Sequence, residues 1–177
     1  QPVPSHVAIV RADTRDVLGV ATRKYHTIQN AQAADVVDAL VAEGGAHVET
    51  AGALGRGERC WMLAQIPGEF EVVRGDVVRP YFLLAWGHDG KHGLAGRLTT
   101  IRVVCNNTLS AAGFGSGTKW ADTSAFYVRH SASAKVNIDE ARRALGLVRK
   151  QALETQAAFA ALAGKEINRD ELFGYVG

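Results

Sequence analysis

The chain has 177 residues, with 20 Lys or Arg against 18 Asp or Glu, so its formal net charge is +2 at pH 7. Its 47% hydrophobic and 21% charged residues are ordinary for a globular protein, and the length suggests one domain over residues 1–177. No apolar run approaches the roughly 18 residues of a membrane-spanning helix, and no signal peptide is visible. We therefore expect a soluble protein that does not enter a membrane.

The first fifty residues predict a β-hairpin followed by a helix. Runs rich in Val, Ile and Leu predict strands over about 6–12 and 17–24, separated by a polar turn. The next apolar residues have helical spacing and predict a helix over 29–45. Asn30 is a suitable N-cap for this helix, and Gly44 and Gly45 are expected to end it.

From residue 46 to 105 the sequence is dominated by β-forming residues. Glycine-rich or polar turns divide this region into predicted strands at His47–Leu54, Arg59–Gln65, Phe70–Val78, Pro80–His88 and His92–Val104. Asp89-Gly90 predicts a tight type I′ hairpin turn, in which both central residues take a positive φ. Because strands joined by short turns are antiparallel, a β-meander is the simplest topology.

The C-terminal third predicts helices. A short helix is expected after Cys105, whereas the segment around Phe126 fits either a strand or a helix. A long helix is predicted over about 137–164, with Asn137 as its cap. The apolar stripe of this helix fits a coiled coil or, more commonly, docking on a sheet. The expected fold is α+β, with a mainly antiparallel β-meander sheet, helices packed on one side and a long C-terminal helix.

The two cysteines, Cys60 and Cys105, match no zinc-binding spacing. Both lie in apolar, strand-like surroundings, which favours buried free thiols in a reducing, cytoplasmic setting. Cys105 also precedes a predicted helix, and this position keeps a second hypothesis open. In that hypothesis the protein is an enzyme whose nucleophile is Cys105, activated by His130 or His88.

Other polar groups have ordinary explanations beside functional ones. One side chain among residues 106–108 is expected to cap the helix that follows, and the alternative is an anion site at the same junction. His88, Asp89 and His92 straddle the predicted turn, but two histidines do not make a zinc site. Phosphate-binding glycine loops and the paired carboxylates of a glycosidase are not apparent. We predict no catalytic residue, no metal and no cofactor.

Basic and aromatic residues alternate through the predicted sheet and the segment before the first helix. Positive grooves with stackable rings hold single-stranded nucleic acid without reading its sequence. The residues predicted to bind nucleic acid are Arg23, Lys24, Arg56, Arg59, Arg74, Arg97, Arg102, Trp61 and Trp86. The alternative is an ordinary basic surface over an aromatic core. Strand side chains alternate between faces, so convergence of the arginines on one face would favour nucleic acid.

Five blocks of the sequence resemble, in order, those of the phage/plasmid-like proteins. The blocks are "VRADTRDVLGVATRKYHTIQN", "ETAGALGRGERCWMLAQIP", "YFLLAWGHDG", "TTIRVVCNNTL" and "RHSASAKVNIDEARRALGL", and they cover about residues 6–150. This large bacterial, phage and plasmid family has a domain of unknown function, and its setting implies DNA metabolism in a bacterial host. The second Asn of "IRVVCNN" departs from the pattern of many relatives, which puts the individual roles of both asparagines in doubt.

The outline of the expected fold is similar to that of phage single-strand annealing recombinases, a fold-level analogy. We therefore expect a non-enzymatic protein that binds single-stranded DNA and anneals it as a homo-oligomer. The alternatives are a protein-interaction module in host defence or anti-restriction, and the enzyme that uses Cys105.

Overall fold

In a computed structural model that describes residues 4–73 and 76–139, short strands and helices alternate along the chain. The strands are β1 (His6–Val10), β2 (Val17–Thr22), β3 (His47–Leu54), β4 (Arg59–Gln65), β5 (Phe70–Val73), β6 (Asp76–Val78), β7 (Tyr81–Gly87), β8 (Leu94–Thr99) and β9 (Phe126–Val128). The helices are α1 (Asn30–Gly44), α2 (Asn106–Leu109) and α3 (Trp120–Thr123), with a π-helical turn over Ser110–Phe114 between the last two. Residues 134–139 are also helical.

The strands form antiparallel sheets, as the short turns predicted. β1 pairs with β2, β5 pairs with β6, and a larger sheet has the order β3-β4-β7-β8-β9. The segment around Phe126 is a strand that joins the larger sheet beside β8. The mixed helix-and-strand fold with antiparallel sheets is therefore confirmed, and in the larger sheet each strand lies beside the strand that precedes it in that sheet.

Several predicted boundaries are wrong. Residues 70–78 form two short paired strands rather than one, with Phe70 opposite Val78. The last long strand ends at Thr99, and residues 102–104 lie outside any strand. Helix α1 ends at Gly44, at the predicted pair of glycines, and its C-cap Gly45 takes a left-handed φ of 65°. Its N-cap is Gln29 rather than Asn30, and the side chain of Gln32 accepts a hydrogen bond from the Gln29 amide.

Helices cover both faces of the larger sheet, so the prediction that they pack on one side is wrong. One face packs Phe82, Leu84 and Trp86 against α1. The other face packs Leu83 and its neighbours against residues 101–120. All seven residues of β7 are buried, because this central strand has a covered layer on each side. The hydrophobic run of β7 is the sequence signature of such two-sided burial.

The β1–β2 hairpin supports the loop that joins β7 to β8. That loop spans residues 88–93, so the predicted tight two-residue turn is wrong. Only Gly90 of the predicted pair has a positive φ, at 77°. Gly19 of β2 lies directly against the backbone of Asp89, where a Cβ atom would overlap it. The loop is therefore held from outside as well as by its own hydrogen bonds.

The predicted long C-terminal helix over 137–164 lies almost entirely outside the described residues. Only its first three positions, within the helical segment 134–139, are described. Ile138 of this segment is buried in the same core as α1. Among the described helices, none has the length and apolar character to cross a membrane.

The two-sided burial of β7 gives a stability prediction. Leu83 and Leu84 are neighbours that point to opposite faces, and both are 0% exposed. We expect Leu83→Ala and Leu84→Ala each to lower the free energy of unfolding by about 2–5 kcal/mol, measured by denaturant unfolding. Val104→Ala is the control, because Val104 is 54% exposed and its substitution should change stability by less than about 0.5 kcal/mol. A small effect at either leucine would contradict the two-sided core.

Candidate functional site

The two tryptophans predicted to stack on bases are core residues. Trp61 is 6% exposed and Trp86 is 4% exposed. Trp86 donates a hydrogen bond from Nε1 to Oδ1 of Asn30 at 2.8 Å, which ties β7 to the start of α1. In this fold neither ring offers a free face, so any base stacking has to use other aromatic residues.

Arg59 and Arg97 lie on the same face of the larger sheet, but that face is covered. Arg59 alternates with Trp61, and Arg97 is paired with Leu83, which places both arginines on the side packed by residues 101–120. Nη2 of Arg59 lies 3.4 Å from Oδ1 of Asn106, and a Cβ atom at Gly113 would overlap the guanidinium of Arg97. Both side chains are half-buried, so their convergence does not create an open basic surface.

The remaining predicted cations are scattered. Arg56 and Arg102 are exposed, but each forms an ion pair, with Glu58 at 3.1 Å and Glu49 at 2.5 Å. Arg23 and Lys24 are exposed in the turn after β2. Arg74 lies outside the described residues.

A cavity of about 590 Å³ lies where the β7–β8 loop, the start of α3 and the end of β9 meet. Its lining combines histidines, tyrosines and cations, and it includes Tyr25 from the segment after β2. The polar and aromatic lining residues are Tyr25, Lys91, His92, Thr118, Lys119, Trp120, Asp122, Tyr127, Arg129 and His130. The sequence alone does not reveal this cavity, because its lining comes from four separate stretches of the chain between residues 25 and 130.

Asp89 organises the loop and fixes the ring of His92. Oδ1 of Asp89 accepts hydrogen bonds from the backbone amides of Lys91 at 2.8 Å and His92 at 3.0 Å. Oδ2 accepts from Nδ1 of His92 at 2.6 Å. These bonds hold the pKa of Asp89 at about 2 against the opposing effect of burial, so it is a carboxylate. Since Nδ1 of His92 donates to Asp89, Nε2 is the ring nitrogen left for other partners.

His130 is a structural residue in the wall of the cavity. Its Nδ1 accepts a hydrogen bond from the amide of Ile28 at 2.9 Å, and its Nε2 donates to the carbonyl of His92 at 3.1 Å. Tyr25 stacks on the ring, with centroids 4.5 Å apart. Burial lowers the pKa of His130, which keeps the ring neutral. His130 therefore clamps the backbone of His92 to the segment before α1.

The opposite wall is aromatic. The ring of Trp120 lies 4.3 Å from that of His92, and Trp120 is itself 2% exposed. The hydroxyl of Tyr127 accepts a hydrogen bond from the amide of Gly93 at 2.9 Å. A Cβ atom at Gly93 would overlap the carbonyl of Val128, so this position of the loop requires glycine. The ring of His92 thus packs against Trp120, and the backbone beside it is bound by Tyr127.

The rim of the cavity carries unpaired positive charge. Lys91, Lys119 and Arg129 are exposed, and within the described part of the chain none of them forms an ion pair. Asp122 is the acidic residue on the same rim. Arg23 and Lys24 come immediately before Tyr25, which extends the basic sequence toward this cavity. Arg56 and Arg102, in contrast, each form an ion pair with a glutamate.

Cys105 is exposed, so the predicted burial of this thiol is wrong, whereas Cys60 is buried as predicted. The strand ends before Cys105 is reached, and Val103 takes the buried position instead. Hydrogen bonds from the side chain of Thr108 and nearby amides lower the pKa of Cys105. The hydrogen-bond partners of His88 and His130 lie elsewhere, at Asn30 for His88.

The N-cap of α2 is Cys105, so the predicted cap among residues 106–108 is wrong, although Thr108 completes a capping box with Cys105. Oγ1 of Thr108 accepts hydrogen bonds from the amides of Val104 and Cys105, each at 3.0 Å, and so closes the start of α2. Asn106 and Asn107 are the first helical residues and not caps. Across the described ranges, no group of three His, Cys, Asp or Glu side chains is arranged to hold a metal ion.

The sequence does contain a signal for the cavity. The stretch His88–His92 shows an aspartate three residues before a histidine, and the Lys between them adds charge. The pattern fits a turn equally well, and only the converging walls from α3 and β9 distinguish the two. The nucleic-acid site was instead predicted mainly from basic residues in the β region, and in the structure most of these are half-buried or ion-paired.

The low pKa of Asp89 makes a pH prediction. Because its pKa is about 2 in the folded chain and 3.8 ordinarily, the ionised carboxylate stabilises the fold. This contribution is complete above about pH 4 and is lost as the pH falls through about 2. After allowance for solvent screening it amounts to about 1–2 kcal/mol.

We expect Asp89→Asn to remove this contribution, so the stability of wild type and variant should converge as the pH is lowered from 5 to 2. The measurement is the free energy of unfolding in denaturant at several pH values. Burial lowers the pKa of His88 and of His130 and the Asp89 charge opposes this effect, so the loss of that opposition is part of the measured difference between the two proteins. A difference that stays constant over this pH range would contradict the assignment.

Comparison with known proteins gives a family and no function. A search of curated proteins and a search of solved structures found no significant match. A family model described as "Domain of unknown function (DUF932)" matches residues 17–176, which is most of the chain and includes every part of the cavity. The chain therefore belongs to the DUF932 family of domains of unknown function.

Proposed function

We propose that this protein binds single-stranded nucleic acid, single-stranded DNA in the first instance, at the cavity between the β7–β8 loop, α3 and β9. The observation that carries the proposal is a rim of three exposed cations, which form no ion pair among the described residues, around a cavity walled by aromatic residues. Cations neutralise phosphates, and tyrosine rings offer surface to bases whatever their sequence. The ligand is the one predicted from the sequence, single-stranded DNA, but the proposed site is this cavity and not the arginines and tryptophans of the sheet.

The electrostatics of the rim support this choice. Lys91, Lys119 and Arg129 outnumber Asp122, and Asp89 is occupied by His92 and two amides. A cavity with net positive charge attracts an anionic ligand. At about 590 Å³ it is of the size that holds a small ligand or one unit of a polymer. A strand would place one nucleotide in the cavity and its neighbouring phosphates along the rim.

The resemblance to phage/plasmid-like proteins supports a role in DNA metabolism of a bacterial, phage or plasmid host. Under this proposal the protein is a binding or strand-annealing protein that works as a homo-oligomer. The β1–β2 hairpin favours self-association, because Ala8, Val10 and Val20 share its outward face. Val10 is 44% exposed and Val20 is 61% exposed, while Ile9 and Ala21 are buried on the inner face.

Binding should depend on salt and on the rim. We expect micromolar protein to raise the anisotropy of a labelled oligodeoxythymidylate at low salt, and to bind more weakly as salt rises. Lys91→Ala, Lys119→Ala and Arg129→Ala combined should weaken binding and reduce the slope of log K against log salt by about 2, since each phosphate contact in a single strand contributes about 0.7.

The matched control combines Arg56→Ala, Arg79→Ala and Arg102→Ala. It removes the same charge, but each of these arginines is already paired with a glutamate. The control should keep the wild-type slope to within about one phosphate contact. Absence of binding at low salt would refute the proposed function, and equal losses in both combined variants would refute the proposed site.

The hairpin gives a separate prediction for the oligomer. Val10→Asp with Val20→Asp should shift the mass measured by light scattering toward the monomer, because charges on an apolar interface resist burial. Val104→Asp with Val136→Asp is the control, because both valines are more than half exposed and lie outside the hairpin, and it should leave the mass unchanged. A wild-type protein that is monomeric at micromolar concentration would contradict the homo-oligomer.

A further inference from the structure

Resting on the proposed function, we propose that the cavity also cleaves RNA, with His92 as the general base that takes the proton of a ribose 2′-hydroxyl. The motivating geometry is a histidine in a cavity whose Nδ1 is bonded to a carboxylate at 2.6 Å while free cations surround it. A base oriented by a third group is the arrangement on which general-base catalysis depends.

The tautomer of His92 is fixed for this role. Asp89 is ionised and can only accept, so Nδ1 carries a proton, and the lone pair of the ring in its neutral form lies on Nε2. The carboxylate also stabilises the imidazolium that forms once Nε2 has taken a proton. Asp89 is thus a positioning residue, and His92 is the group that would touch the substrate.

The position of the ring is fixed from several sides. Trp120 packs against it with centroids 4.3 Å apart, His130 holds its backbone carbonyl at 3.1 Å, and Asp89 binds its amide at 3.0 Å. The two hydrogen bonds from the amides of Lys91 and His92 to Asp89 are sufficient to shape the loop. The ring bond and the aromatic wall are additional to that need, and they hold a base in one orientation beside a cavity.

RNA suits this set of groups because it carries its own nucleophile. The 2′-hydroxyl gives its proton to Nε2 of His92, and its oxygen forms a bond to the adjacent phosphorus. The bond from phosphorus to the 5′-oxygen breaks, and that oxygen takes a proton from solvent or from the ammonium of Lys91 or Lys119. The products are a 2′,3′-cyclic phosphate and a 5′-hydroxyl, with no oxidant, reductant or further co-reactant.

The cations have a defined part in this step. Negative charge accumulates on the phosphate oxygens as the 2′-oxygen attacks. Lys91, Lys119 and Arg129 are the positive groups on the cavity rim, and none is ion-paired within residues 4–73 and 76–139. Stabilisation of that charge is the kind of electrostatic effect that lowers a reaction barrier most. DNA would bind at the same rim and remain intact, because it lacks the hydroxyl.

The test uses an oligodeoxynucleotide with one internal ribonucleotide and a control strand with a 2′-O-methyl group at that position. The full chain is incubated with each strand in the presence of EDTA, and products are identified by mass spectrometry. We expect the wild type to cleave the ribonucleotide strand to a 2′,3′-cyclic phosphate and to leave the control strand intact.

Two variants separate catalysis from folding. His92→Gln removes the base, and Asp89→Asn keeps an acceptor oxygen for both amides while its NH₂ group forces the proton of the ring onto Nε2. Each is expected to slow cleavage by about 100-fold or more at saturating protein, where the rate does not depend on how tightly the strand binds. Thermal unfolding checks both variants, and Asp89→Asn decides the test where His92→Gln does not fold.

The outcomes distinguish the two proposals. Wild type that binds the strand but forms no cyclic phosphate would overturn the cleavage and leave the proposed function standing. Equal cleavage by wild type and folded variants would also overturn it, because the activity would then belong to a contaminant. Failure to bind either strand would instead refute the proposed function itself.

Discussion

The burial of β7 on both faces is the constraint on which the rest of the structure depends. All seven of its residues are buried, and this requires a covering layer on each side of the sheet. α1 and the segment 134–139 supply one layer, and residues 101–120 supply the other. The second layer also determines chemistry, because it covers the face on which Arg59 and Arg97 lie. Without this cover, those arginines would form the open basic surface that their spacing suggested.

The same layer creates the cavity. Once residues 101–120 cross the face of the sheet, α3 arrives beside the β7–β8 loop, and β9 pairs with β8 at Leu94. Loop, helix and strand then meet around His92. Within the described residues, the cations at this meeting point are exposed and form no ion pair, whereas Arg56, Arg79 and Arg102 each lie beside a glutamate. The neighbours that the fold brings to each cation thus decide which charges remain available to a ligand.

Much of the fold could be predicted from local signals. The bounds of the β1–β2 hairpin, α1, β3 and β4 follow closely from apolar runs, polar turns and the paired glycines after α1. The errors occur where a tertiary contact replaces a local preference. Asn30 is not the N-cap, and its side chain instead accepts a hydrogen bond from Trp86. Asp89 does not form a tight turn, and its carboxylate instead binds two backbone amides and the ring of His92. Cys105 became exposed because Val103 took the buried position beside it.

The sequence by itself determined the antiparallel pairing, the core composition and the stock of histidines, tyrosines and cations from which a site could be built. It also placed the chain within its family. Only the tertiary structure decided which of these side chains meet, since the site depends on contacts such as that between Ile28 and His130, which are 102 residues apart. Local spacing fixes the direction of a side chain within its own element. It carries no information on which distant element arrives beside it, and burial against that element decides whether a charge is free, paired or enclosed.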